Sequence, residues 1–226
     1  YAVNYYIPDR MEEGYGVNKS AIKEIAKSGG DLIITVDCGI TSIEEVDYAM
    51  HLGMDMIITD HHNCQTTLPK AYAILNPKQI SCQYPFDKLC GCGVAFKLIQ
   101  ALIPSEDFVI KSQDYLDILA IATVADIVSL EEENRIFVKN GLKLMKNTNN
   151  LGVKALLEVC GLKGKKINSG HIAYMIGPRI NAAGRVGSAE IAVKLFTTND
   201  PKEAKELALF LDEENGFFAV RDISSG

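Results

Sequence analysis

The sequence predicts an α/β protein, with a parallel sheet wound with helices in the first half and a mostly helical segment after it. Two observations carry this expectation. Short unbroken apolar runs, Leu32-Ile33-Ile34-Thr35-Val36 and Met56-Ile57-Ile58-Thr59, alternate with stretches of helical spacing, the pattern of parallel strands joined by right-handed crossovers. Both runs also end in side chains that bind metals, Asp37-Cys38-Gly39 after the first and Asp60-His61-His62 after the second. Open α/β sheets bind ligands beyond the carboxyl ends of their strands, and adjacent parallel strands lie about 4.8 Å apart. If the two strands are neighbours, a carboxylate and two imidazoles converge there, the start of a divalent-metal site suited to phosphate chemistry.

The elements follow in order. Val3 to Ile7 reads as a strand. Asn18 is placed to cap a helix carrying Ile22, Ile25 and Ala26 on one face, stopped by Gly29-Gly30. The strand Leu32 to Val36 is apolar throughout, as expected of a strand covered on both faces. Thr41 with Glu44, or Ser42 with Glu45, forms a capping box for a helix ending near Leu52 and Gly53. Strands at Met56 to Thr59 and Tyr72 to Leu75 complete the sheet. Gly91 and Gly93 lead into a helix over Val94 to Leu102, closed by Pro104. Further helices are expected over 115–128, 134–145, 153–159, 169–175, 188–196 and 201–214, with Asn147 to Asn150 as a turn. The expected division is an α/β part over 1–105 and a helical part over 106–226.

Composition sets limits. The chain has 226 residues, 47% hydrophobic and 23% charged, ordinary for a globular protein. No apolar run approaches the ~20 residues of a membrane span, and no signal peptide opens the sequence. It starts at Tyr1 without an initiator Met, so a fragment lacking an upstream part is expected. The six cysteines do not pair into a zinc framework; reduced thiols in a cytoplasmic protein are the simpler reading. Cys64, close to His61 and His62, could add a soft ligand or be a bystander. A net charge of −6 argues against indiscriminate nucleic-acid binding. It leaves a nuclease possible, because bound cations neutralise a carboxylate-rich centre, provided that a local basic patch exists.

Asp37 at a strand end can face the crevice and bridge cations, or instead cap the following helix. His61 and His62 share one site only if the chain turns there, since successive strand residues point to opposite faces. One imidazole could bind metal and the other contact a substrate phosphate, with Asp60 holding an imidazole N–H; the alternative is a His pair on a solvated loop. Asp126 lies within the otherwise apolar Ile118 to Val128 stretch, where a carboxylate is costly unless paired or coordinated, so it is a third candidate ligand unless it faces solvent near the helix end. Gly177-Pro178-Arg179-Ile180-Asn181-Ala182-Ala183-Gly184-Arg185 reads as an anion-binding loop. Lys163-Gly164-Lys165-Lys166 could touch a nucleic-acid backbone or be a solvated turn. Gly91-Cys92-Gly93 at a helix start could hold an anion, and tight packing explains it equally well.

These motifs occur in a recognisable order. Val36-Asp37-Cys38-Gly39, Thr59-Asp60-His61-His62, Ala122 to Val128 with Glu133-Asn134-Arg135, and Gly177 to Arg185 together resemble the DHH phosphoesterase superfamily, most closely its single-stranded-DNA-specific exonucleases. Tyr6-Ile7-Pro8-Asp9-Arg10, Glu13-Gly14-Tyr15-Gly16 and Gly93 to Leu98 add to the likeness. The resemblance implies a Rossmann-like DHH domain and a two-metal phosphodiesterase using Mn²⁺ or Mg²⁺. Its implied substrate is single-stranded DNA, degraded from the 5′ end in repair and recombination. By the same resemblance Asp37 bridges the metals and His61 and Asp126 hold one of them. Asp60 and His62 serve catalysis, His62 at the scissile phosphate, while Arg185, with Arg179, Asn181 and Gly184, binds substrate phosphates. The superfamily's upstream Asp-x-Asp-x-Asp-Gly motif and its later Gly-rich C-terminal domain do not occur here. The chain therefore resembles the middle of such an enzyme, with weak or absent metal binding and little or no activity expected from the 226 residues alone. The alternatives are a small-substrate DHH phosphodiesterase acting on oligonucleotides or cyclic dinucleotides, and a catalytically dead DHH binding module.

Overall fold

The computed structural model describes residues 2–8, 14, 16–185 and 189–224, without the side chains of 109, 185 and 217–224. It divides into two compact units, Tyr1–Leu102 and Ile103–Gly226.

The first unit opens with α1 (Lys19–Lys27), capped by Asn18, whose Oδ1 accepts from the Ala21 N–H at 2.7 Å. Then come β1 (Leu32–Val36), α2 (Ile43–His51), β2 (Asp55–Thr59), β3 (Ala73–Leu75) and α3 (Gly91–Leu102). The three strands form a parallel sheet in the order β1-β2-β3, with Val36 opposite Thr59 and Thr59 opposite Leu75. α1 and α2 pack on this sheet through Ile22, Val46, Ala49, Met54, Met56 and Ile58, all nearly inaccessible to solvent.

Three expectations need correction in this unit. Residues 2–8 pair with no strand among the described residues, and Val3, Tyr5 and Tyr6 are exposed. β1, the sheet's edge strand, is not covered on both faces: Leu32, Ile34 and Val36 share one face and are each about half exposed, while Thr35 on the other face is buried. No capping box forms at α2, where the N-cap Ser42 makes no side-chain bond to the helix.

The second unit is all helical among its described residues. It runs α4 (Ser105–Lys111), α5 (Leu116–Ala125), α6 (Glu132–Leu144), α7 (Leu151–Val159), α8 (Ser169–His171), a π-helical stretch Ile172–Ile176, α9 (Gly177–Arg185), α10 (Ala189–Thr197) and α11 (Pro201–Ser224). α4 has no counterpart in the expected pattern. The Asn-rich turn also caps α7: Asn150 Oδ1 accepts from the Val153 N–H at 3.0 Å. Leu156, Ile172, Ile176, Leu195 and Leu211 form the centre of a core that α5 and α6 border through Ala120, Ile121 and Val138. Two stretches differ from expectation. α5 stops at Ala125 rather than 128, and Gly177 to Arg185 is a helix, not an anion-binding loop. The glycines at its ends are tolerated there because the helix is held by packing, with Ala182 and Ala183 buried. Among the described residues, no helix is long and apolar enough to cross a membrane.

Candidate metal centre

The sheet positions the site. Parallel pairing of β1 and β2 puts both carboxyl ends side by side, and the ladder continues one residue beyond β1 through Asp37 N–H donating to Thr59 C=O at 2.9 Å. Asp37 then turns sharply, with φ +63°. That left-handed conformation is tolerated best by Asn, Asp and Gly and marks stored strain in other residues. It is held by Thr35, whose Oγ1 donates to the Cys38 carbonyl at 2.8 Å. Gly39 follows at φ +106°, where a Cβ would meet Thr35 Oγ1 and Ile58 Cγ2; only glycine combines that conformation with that space.

β2 delivers the other half. Asp60 is 1% exposed and works as a backbone clamp. Its Oδ2 accepts from Ile40 N–H at 2.9 Å, and its Oδ1 from the N–H groups of His61 at 2.7 Å and His62 at 3.1 Å. Burial pushes its pKa up, but the Ile40, His62 and His61 donors together outweigh that and hold it below the usual carboxylate value. The carboxylate that bends the chain after β2 thus makes both imidazoles face one side. Asn76, buried after β3, fixes the far end by donating to the His62 carbonyl at 2.9 Å.

His61 Nε2 lies 3.0 Å from Asp37 Oδ1. His62 Nδ1 lies 2.6 Å from Asp60 Oδ1, and the two rings are 4.6 Å apart between centroids. One ligand atom each from Asp37, His61 and His62 lie within 4.8 Å of one another. Two neighbouring ligands of an octahedral cation at 2.0–2.1 Å are separated by about 3 Å, the spacing of Asp37 Oδ1 and His61 Nε2. A carboxylate oxygen and an imidazole nitrogen at that spacing suit a borderline divalent ion such as Mn²⁺, with the His62 imidazole beside them. Gly91, first residue of α3, borders this centre. A Cβ there would fall inside contact distance of the Asp37 carboxylate, so the missing side chain keeps room beside the ligand. The neighbouring thiols stay protonated: burial, with Asp60 and Asp37 nearby, pushes Cys38 to about 11, and burial, with Cys90 and Asp37, pushes Cys92 to about 12. Burial likewise raises Cys64, which is not part of the cluster.

Comparisons with known proteins identify the family. Residues 1–123 match the model of the DHH family, N-terminal domain. This chain belongs to the DHH family. Among DHH relatives, it is 44% identical over 213 residues to the single-stranded-DNA-specific exonuclease RecJ of Bacillus subtilis, covering 94% of this chain and 26% of that protein. It is 37% identical over 224 residues to the RecJ of Escherichia coli, covering 94% and 39%. A crystal structure of exonuclease RecJ bound to manganese superposes with a TM-score of 0.85 at 34% identity, over 97% of this chain and 55% of that one. A manganese complex of RecJ from Thermus thermophilus gives 0.79 at 32% identity, over 92% and 31%. The chain thus spans between about a quarter and two-fifths of the length of these curated relatives.

The remaining site residues of the DHH chain stand as follows. Asp126 belongs to the second unit, where it is the exposed C-cap residue of α5 rather than a carboxylate embedded in an apolar helix. The buried acid of that helix is Asp117 at its start, which accepts from Ile118 N–H and from the Thr148 hydroxyl. Arg179 is engaged within the protein, Nε and Nη2 on Asp212 Oδ1 at 2.7 and 2.6 Å and Nη1 on the Met175 carbonyl at 2.6 Å. Asn181 is exposed and Gly184 half-buried on α9; the Arg185 side chain lies outside the described residues. Asn76 and the packing of Gly91 on Asp37 escaped sequence reasoning. The only signals were a polar residue directly after a strand and a glycine at a helix start.

Proposed function

We propose that this chain is the metal-holding core of a single-stranded-DNA-specific exonuclease, which hydrolyses phosphodiester bonds from the 5′ end with Mn²⁺ or Mg²⁺. The observation that carries the reading is the Asp37, His61 and His62 cluster at the carboxyl ends of adjacent parallel strands, in a chain of the DHH family. Its donors fit a divalent ion of the kind bound in the RecJ manganese structures.

The chemistry that such cations would supply when bound is charge neutralisation on the phosphodiester and activation of a water. The chain's own residues would do the rest. Asp37 and His61 would hold the metal, and the family resemblance alone makes Asp126 a further candidate ligand. Asp60 fixes His62 through Nδ1, so that Nε2 is the nitrogen that meets the scissile phosphate and offsets its charge. Asp60 also orients both imidazoles through their backbone N–H groups. Arg185 on α9, with Asn181 and Gly184, contacts further substrate phosphates. Arg179 joins them only by exchanging its bond to Asp212. The enzyme would act in the cytoplasm, in DNA repair and recombination.

The test uses the intact enzyme. Asp37→Ala is expected to abolish Mn²⁺-dependent release of nucleotides from a 5′-tailed DNA while circular dichroism stays unchanged. Near-normal turnover by that variant overturns the site. Preference of the unmodified enzyme for dinucleotides over long 5′-tailed DNA overturns the substrate.

A further inference from the structure

A cavity of about 380 Å³ lies wholly within the second unit, and its rim carries five lysines: Lys146, Lys154, Lys163, Lys165 and Lys205. They come from four places in the chain: the turn after α6, α7, the loop after α7, and α11. The single acid on the rim is Glu158, which holds Lys163 at 3.4 Å. Lys146, Lys154, Lys165 and Lys205 form no ion pair among the described residues. Four uncompensated ammonium groups around one hollow stand out in a chain of net charge −6, since like charges repel and focus a positive potential there. The amino end of α7 adds to it: Leu151 lines the cavity, the first turn of the helix has no acid, and the cap is the neutral Asn150. Beneath the rim the floor is apolar, with Leu157, Leu162 and Ile167 buried.

We infer that this hollow is a second contact point for the DNA strand: its rim neutralises two or more phosphates while a sugar and base edge rest on the floor. The volume is at the small end of ligand pockets, which run from about 300 Å³ upward, so it suits about one nucleotide. No aromatic residue lines it, so the grip is electrostatic and indifferent to sequence. An acidic peptide fits less well. No arginine lines the cavity to fork onto carboxylates, and no strand borders it to pair with an extended backbone. The site supplies the local basic patch that an acidic nuclease needs, and the inference therefore rests on the proposed function.

The test is fluorescence anisotropy of fluorescein-labelled oligo(dT) with the whole chain in EDTA, over a series of salt concentrations. The double variants Lys154→Glu/Lys165→Glu and Lys154→Gln/Lys165→Gln alter exposed side chains only. We expect the charge reversal to weaken binding at least about tenfold. Losing two phosphate contacts also lowers the salt slope, by about 1.4 at ~0.7 per contact for single strands. The neutral variant should fall between. Unchanged affinity and slope in both variants overturn the inference, as does stronger binding of poly-glutamate than of oligo(dT) through the same lysines. Mn²⁺ paramagnetic resonance on the same variants made in the intact enzyme, in EDTA-free buffer, separates the two readings. The lysine variants should keep the signal that Asp37→Ala removes, so loss of strand binding with Mn²⁺ retained concerns the cavity alone.

Discussion

At the scale of single residues, the centre depends on where one carboxylate is allowed to stand. Asp37 is held at φ +63° by its bond to Thr59 and by the Thr35 hydroxyl on Cys38, and Gly91 leaves the space in which its carboxylate sits. Gly91→Ala therefore forces Asp37 to move without removing any ligand. We expect at least about tenfold weaker Mn²⁺ binding with secondary structure intact, read by calorimetry and circular dichroism; unchanged affinity would show that the carboxylate has room elsewhere. Asp37, His61 and Asp60 were legible as chemistry because their types are diagnostic at strand ends. Gly91 was not, since a small side chain at a helix start has the same appearance whether it cradles an anion or yields to a neighbour. The position of Asp126 relative to its helix was hidden for a related reason. An apolar run does not say where its helix stops, and α5 stops one residue before it.

At the scale of elements, α5 and α6 approach closely because Gly141 presents no side chain to the α5 backbone: a Cβ there would fall against the Leu116 carbonyl and Ala120 Cβ. Gly141→Ala gains a little helix propensity but overpacks the contact. We expect a net loss of about 1–3 kcal/mol in denaturant unfolding, and a stabilised variant would mean that the pair can separate without cost. The helices themselves were readable from period and caps, as Asn18 at α1 and the helices over 132–144 and 151–159 illustrate. The stretch 177–185 was not. Its glycines, proline and arginines favour a loop locally, and burial of Ala182 and Ala183, with Arg179 tied to Asp212, makes it α9 instead.

At the scale of the whole molecule, two separate cores support the two units, one around Met56 and Ile58 and one around Leu156 and Leu211. Ile58 and Leu156 share neither a cluster nor a neighbour in it, so Ile58→Ala and Leu156→Ala should each cost about 2–5 kcal/mol. Their double variant should match the sum within about 0.5 kcal/mol. A coupling well beyond that, measured by chemical denaturation, would show that the cores unfold as one.

By itself the sequence determined the alternation of strand and helix, the parallel sheet and the residue types that gather at its carboxyl edge. Those depend on local period and on the chemistry of a few side chains. Tertiary structure alone decided that β1 is an exposed edge, that Asp60 turns both imidazoles the same way, that α9 is a helix and that lysines distant in sequence share one hollow. Each of these depends on which segments become neighbours in space, and a one-dimensional pattern does not carry that information.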